Sequence, residues 1–206
     1  MQRPSRSTIR ITVLWTLLPA AILYWIALSW SAAEGISAKM VLRDLAQACS
    51  APLGKGFLSS VGYLLWMAAA SIALFAAFTG QIKGSAVNRQ FAFCGGGFSL
   101  WLCLDDMFLV HDRYLGETFL YVTYAVFTGL LLLRFRGPLQ RFGGDSFLLS
   151  VCLLGASVLI DMFQGAFPAS YETVQIYEEG AKFLGIAAWL AFWCHYVSAT
   201  SKLSTS

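Results

Sequence analysis

The sequence predicts an all-α polytopic membrane protein, a six-transmembrane-helix bundle with both termini cytoplasmic. Three observations carry this. The 206 residues are 58% hydrophobic and 12% charged, against roughly 25% charged in a soluble domain. The apolar residues come in long blocks, about the 18 or more that mark a membrane span, rather than on one face as in a surface helix. Finally, Lys and Arg divide unevenly between alternate connections.

Six spans follow in order near residues 10–32, 57–80, 91–112, 117–134, 146–166 and 174–198, within a single membrane domain over 1–206. The first follows a basic stretch, "MQRPSRSTIR". Its apolar run of about 20 residues is longer than a cleaved signal usually has, which predicts an uncleaved first helix. The long connection 33–56 contains "AKMVLRDLAQA" at 38–48, apolar at 41, 42, 45 and 46 and charged at 39, 43 and 44. That pattern predicts a short amphipathic helix on the outer membrane surface. The third and fourth spans are joined only by "RYLG", and the fifth is reached through "FRGPLQRFGGDS", where Pro138 and Gly143–Gly144 break the chain. Gly95, Gly96 and Gly97 predict close helix contact and a central third span. Trp and Tyr near span ends predict an aromatic belt at the membrane interfaces.

Six spans put the N-terminus, the 81–90 loop, the 135–145 loop and the C-terminus on one side. That side holds Arg3, Arg6, Arg10, Lys83, Arg89, Arg134, Arg136, Arg141 and Lys202 against a single acid, Asp145. The excess marks the cytoplasmic face, so the remaining acids lie toward the exterior. A multi-pass protein of the bacterial cytoplasmic membrane is expected, with the lipid bilayer and other membrane proteins as partners. The basic side implies no nucleic acid. Cys49, Cys94, Cys103, Cys152 and Cys194 form no CxxC pair and read as small packing residues.

The chemistry gathers in one layer. At 1.5 Å per residue, Asp105 and Asp106 stand about 21 Å up the third span, and Asp161 about 22 Å up the fifth. Glu178, Glu179 and Lys182 lie about 6–12 Å below the outer edge of the last span. His111, Asp112, Arg113 and Glu117 form a rim above. Five acids in the layer meet one base, and unpaired charge in hydrocarbon is strongly unfavourable. Protonation, a bound divalent cation or a water-filled funnel would each relieve the imbalance. Asp105, Asp106, Asp161, Glu178, Glu179 and His111 are the candidate ligands of a divalent ion (Mg, Ca, Mn or Zn). Glu178 and Lys182 stand four apart, in the favourable order for an ion pair. Acids near a helix start also suit the helix dipole. His195, near the other end of the last span, reads as an interfacial or packed histidine.

"SLWLCLDDMFLVHDRY" and the last helix "YEEGAKFLGIAAWLAFWCHY" resemble a group of uncharacterised bacterial multi-span proteins. In these a span ends in L-D-[DE]-x(4–5)-H-[DE], and the final helix opens with paired glutamates. The similarity covers about 91–198 and rests on Asp105, Asp106, His111, Asp112, Glu178 and Glu179. Here Asp112 replaces a commoner glutamate, and Lys182 stands where a glutamate is frequent. That resemblance implies a site but no reaction. "EEGAK" at 178–182 is also similar to the EExxK motif of PrsW-type intramembrane proteases, and paired glutamates with a distant histidine mark the CAAX-processing group. That likeness implies that the glutamates and histidine hold or activate a water at a metal or as general base, and a hydrolase reading would take Glu179 or Asp106 as catalytic base for a bound water; the other protease motifs do not appear in order. The acid four residues before Lys182 is shared with microbial rhodopsins, whose seven spans and third-helix pattern are absent.

Three readings remain. One is a membrane protein with an outward-opening polar site for a divalent cation or protons. Another is a metal-dependent intramembrane hydrolase. The third is an ion-coupled carrier or an accessory subunit of a membrane complex. The absence of a matching layer in the inner half disfavours a through-route.

Overall fold

The computed structural model describes residues 14, 17–42, 49, 56–168 and 170–203, with only the backbone at 39, 40, 111 and 112. The regular structure of the described residues is helical, with no strand among them. They form two compact units, divided between Lys55 and Gly56.

The first unit holds α1 (Leu18–Ala33) and α2 (Ala38–Leu42). Pro19 sits at the start of α1, where its missing N–H costs nothing. α1 has 16 described residues, and positions 10–13, 15 and 16 of the expected first span lie outside the described residues. α2 covers the first five residues of the expected amphipathic segment, and 43–48 lie outside the description.

The second unit contains α3 (Phe57–Phe78), α4 (Ala86–Phe108), the short α5 (Val110–Arg113), α6 (Glu117–Arg134), α7 (Arg136–Arg141), α8 (Gly144–Met162) and α9 (Tyr171–Ser201). Among the described helices α3, α6, α8 and α9 are long and apolar enough to cross a membrane. α4 has the length, 23 residues, but carries Asn88, Arg89 and Gln90 at one end and Asp105 and Asp106 at the other. It starts five residues before the expected span because hydropathy marks the apolar stretch, not the hydrogen-bonded one. Ser85 is extended at the start, and Asn88 Nδ2 donates back to the Lys83 carbonyl at 3.2 Å. α4 also stops four residues early, where Leu109 adopts a left-handed φ of 52° and donates its N–H to the Asp105 carbonyl. That conformation is uncommon for a residue with a Cβ. The fifth span shortens in the same way: α8 ends at Met162 and a 3-10 turn, Gln164–Ala166, follows.

Packing explains why these helices stay together. α3 and α4 form an antiparallel hairpin, α8 and α9 form another, and α9 joins them by packing against α3. α3 buries Ala69, Ala70, Ala73, Ala76 and Ala77, a small-residue surface suited to close approach. Much of the large aromatic surface is internal rather than interfacial, which departs from the expected belt. Trp189, Trp193, Phe192 and Tyr196 of α9 are fully buried with Phe91 and Phe147, and Trp66 joins them at 3% exposure. Two of these side chains satisfy their polar ends inside: Trp189 Nε1 donates to Ser99 Oγ at 2.7 Å, and Tyr196 Oη donates to the Asn88 carbonyl at 3.1 Å.

Gly95 is where this packing is tightest. A Cβ added there would lie 2.1 Å from the Trp193 ring, whereas one at Gly97 would meet nothing within 4 Å. Gly95→Ala is therefore expected to destabilise the protein by about 1–3 kcal/mol through overpacking, with Gly97→Ala near neutral. Thermal unfolding in a mild detergent checks this, and equal midpoints for the two variants would show that Trp193 does not need the gap.

Candidate functional site

α4 positions the site because it presents three different stripes to three neighbours. Gly96 and Cys103, seven apart, face α3. A Cβ at Gly96 would press on Ala73 and Leu74, and Cys103 Sγ donates to the Tyr63 carbonyl at 3.5 Å. Phe98 and Asp105, also seven apart, face α6. The Phe98 ring lies 4.6 Å from that of Phe127 and 6.1 Å from that of Tyr124. Gly95, Ser99 and Asp106 face α9, where they meet Trp193, Trp189 and Lys182 in turn. Along α4 the steps are four and then seven residues; along α9 they are four and seven in the opposite direction. That is the register of two antiparallel helices sharing one seam.

The adjacent pair Asp105–Asp106 therefore splits between two helices. One residue turns the helix by about 100°, which sends Asp106 to α9 and Asp105 to α6. Both are buried, at 8% and 5% exposure. Lys182 Nζ donates to Asp106 Oδ1 as an ion pair. Glu179 and Tyr63 lie within electrostatic reach of the Lys182 ammonium, and Tyr63 also senses Asp106. On the other side the buried Tyr124 hydroxyl sits within reach of Asp105, though its geometry falls short of a full hydrogen bond.

Asp161 belongs to a separate locus. Tyr121 Oη donates to its Oδ2 at 2.8 Å, and Gln164 Nε2 approaches its Oδ1 at 3.5 Å. Tyr121 and Tyr124 stand three apart on α6, so this helix faces one carboxylate on α8 and another on α4. The result is a polar belt at one end of the bundle, from Asp161 through α6 to Asp105, then Asp106, Lys182 and Glu179.

The expected ligands are thus spread along a belt. Among the described residues no three His, Cys, Asp or Glu side chains come together as a metal-holding group. The side chains of His111 and Asp112 lie outside the described residues. Glu178 is half-buried and Glu179 exposed. Lys182 reaches across to α4, 76 positions away in sequence. The helix dipole does not account for the paired glutamates, because α9 begins at Tyr171 and only Glu172 is in its first turn. Arg113 and Glu117 are exposed, and His195 is exposed with its ring beside Gly143. Sequence reasoning missed Tyr63, Tyr121 and Tyr124. The available signal was a tyrosine pair three apart inside an apolar helix, where each hydroxyl needs a polar neighbour.

A family described as a domain of unknown function, DUF8692, matches residues 16–196. The chain belongs to the DUF8692 family. No similar curated protein and no similar solved structure was found. The DUF8692 region contains α3 through α8, most of α9, and every residue of the polar belt. The DUF8692 description names no activity, so the chemistry rests on the belt itself.

A double-mutant cycle at the seam tests the pairing. The pair is part-buried, with side-chain exposures of 30% for Lys182 and 12% for Asp106, so removing one partner strands the other charge at a cost of about 1–3 kcal/mol, while replacing both with apolar groups is milder. Lys182→Met and Asp106→Leu are each expected to lower the unfolding midpoint strongly, and the double variant to recover most of the loss. Additive losses would mean that the two residues do not share the interaction.

Proposed function

We propose that this DUF8692 protein is an integral membrane protein with a proton-binding site in the outer third of its bundle, centred on Asp106 and Lys182. In this reading α1, α3, α4, α6, α8 and α9 are six spans, both termini are cytoplasmic, and the membrane is the bacterial cytoplasmic one. Support for the bilayer comes from four helices long and apolar enough to cross it. The nine-to-one ratio of basic to acidic residues on one set of connections supports the orientation.

The observation that carries the site is the Asp106–Lys182 pair between two apolar helices. Ionisable groups inside a membrane are unfavourable unless paired, and they mark functional positions. Here the pair does not balance its surroundings. Asp105 is buried one residue from Asp106, and Glu179 stands close to Lys182. Among the described residues the Lys182 ammonium faces two carboxyl groups, Asp106 and Glu179, and one proton makes that set neutral. Tyr63 and Tyr124 add hydroxyls that donate to a carboxylate or accept from a carboxylic acid. A hydrolase reading with Asp106 or Glu179 as base requires a metal-held water, and no grouping of described residues supports it.

Infrared difference spectroscopy of the protein in lipid nanodiscs tests this. A carboxylic-acid carbonyl band is expected in the protonated state, and Asp106→Asn or Glu179→Gln should remove or shift it. Asp161→Asn, in its separate locus, should leave it in place. If millimolar Mg²⁺ or Zn²⁺ abolishes the band saturably, and the same variants lose that response, the site holds a divalent cation instead.

A further inference from the structure

At the opposite end of the bundle, α6, α7 and α8 enclose an open cleft of about 260 Å³. Its polar walls are Arg136 and Gln140 of α7 and Asp145 of α8, and its apolar walls include Leu132, Leu139 and Leu148. Backbone constraints build it. Gly143 has a φ of 90°, which favours glycine. A Cβ at Gly144 would lie 2.7 Å from the Leu139 carbonyl oxygen, so only glycine lets the start of α8 close against α7. Pro138 and Leu139 are buried beneath it.

Two opposite charges line this cleft without meeting. Among the described residues neither Arg136 nor Asp145 has an ion-pair partner, and both side chains are exposed. Beside them are leucines of α6 and α8, two helices long and apolar enough to cross a membrane. The cleft thus joins one cation, one anion and an apolar wall. An ethanolamine phospholipid carries the complementary set: a phosphate, a terminal ammonium with N–H donors, and acyl chains.

We propose that this cleft binds the headgroup of an ethanolamine phospholipid. Arg136 takes the phosphate through its planar guanidinium, which matches phosphate oxygens with two parallel hydrogen bonds. Gln140 adds an amide donor, and Asp145 accepts from the ammonium. The acyl chains run along Leu132 and Leu148. Basic pockets between helices on the cytoplasmic side are known phospholipid-binding settings; the acid at Asp145 is what selects a headgroup with its own donors. A choline headgroup has no N–H to give, and a free phosphate has neither chain nor ammonium. The inference rests on the bilayer reading but not on the proton site.

The test is lipid retention by native mass spectrometry of the purified full chain in detergent, with phosphatidylethanolamine, phosphatidylcholine and phosphatidylglycerol of equal chain length. The ethanolamine lipid is expected to be retained roughly tenfold better than the choline lipid, as for one charge-assisted hydrogen bond gained. Arg136→Gln should weaken retention of all three, and Asp145→Asn should abolish the ethanolamine preference. Unchanged thermal unfolding shows that each variant folds. Equal retention of ethanolamine and choline lipids, stronger retention of the glycerol lipid, or variants indistinguishable from wild type would overturn the proposal. So would displacement of the lipid by inorganic phosphate. A protein that stays in solution without detergent would instead sink the bilayer reading on which the cleft depends.

Discussion

The seam between α4 and α9 is the constraint on which the site depends. Its three rungs differ in chemistry but share one register: Gly95 under Trp193, Ser99 with Trp189, and Asp106 with Lys182. The first rung is steric, since only glycine leaves room for the indole. The second is a buried hydrogen bond that gives Trp189 a reason to hold one rotamer. Ser99 itself donates to the Gly95 carbonyl at 2.8 Å, so the first two rungs are chemically linked. A slip of one residue would turn each side chain by about 100° and break all three together. The ion pair is therefore positioned by aromatic packing two and three turns away, not by local residues around it.

This arrangement bears on what the ion pair contributes. A buried pair is weak evidence for stability, because desolvation offsets much of the attraction. Aromatic packing and the alanine face of α3 already hold the bundle together, and neither needs a charge. A lysine and an aspartate inside such a bundle are better explained by specificity of register or by chemistry than by stability. Register is already set by Gly95 and Ser99. That leaves the charges without a packing task of their own, which is what the proposed proton site would explain.

Much of the fold was legible from hydropathy, and the reasons for the misses are physical. The segment 117–134 matches α6 end to end, because both ends carry charge and the interior carries none. Hydropathy misplaces both ends of α4, because polar residues near a helix start stay helical and because a left-handed Leu109 ends the helix in an apolar stretch. Depth along each helix groups the acids at one level, since rise per residue is nearly constant. Depth carries no information on direction around a helix, and so it suggests one cluster where the structure forms a belt. The steps of four and seven at 95, 99 and 106, mirrored at 193, 189 and 182, hold that direction. They are hard to see because the residues involved are glycine, serine, tryptophan and charges, which no apolar heptad count would group.

α6 has a different relation to the bundle from the other long helices. Of its residues only Leu120 and Leu131 are buried, and much of its surface is apolar and exposed, as at Phe119, Val122, Val126, Leu130 and Leu133. Its inward ties are few and specific: aromatic contacts to Phe98, the Tyr121 bond to Asp161, and Tyr124 beside Asp105. One of these ends on a carboxyl group, Tyr121 on Asp161, and Tyr124 lies near another, Asp105. A carboxylate only accepts hydrogen bonds, whereas a protonated carboxyl both donates and accepts, so the charge state sets which roles a neighbouring tyrosine hydroxyl can take. α6 thus touches the belt through the Tyr121–Asp161 bond while burying few of its own residues. The aromatic core, by contrast, is closed by contacts that carry no charge.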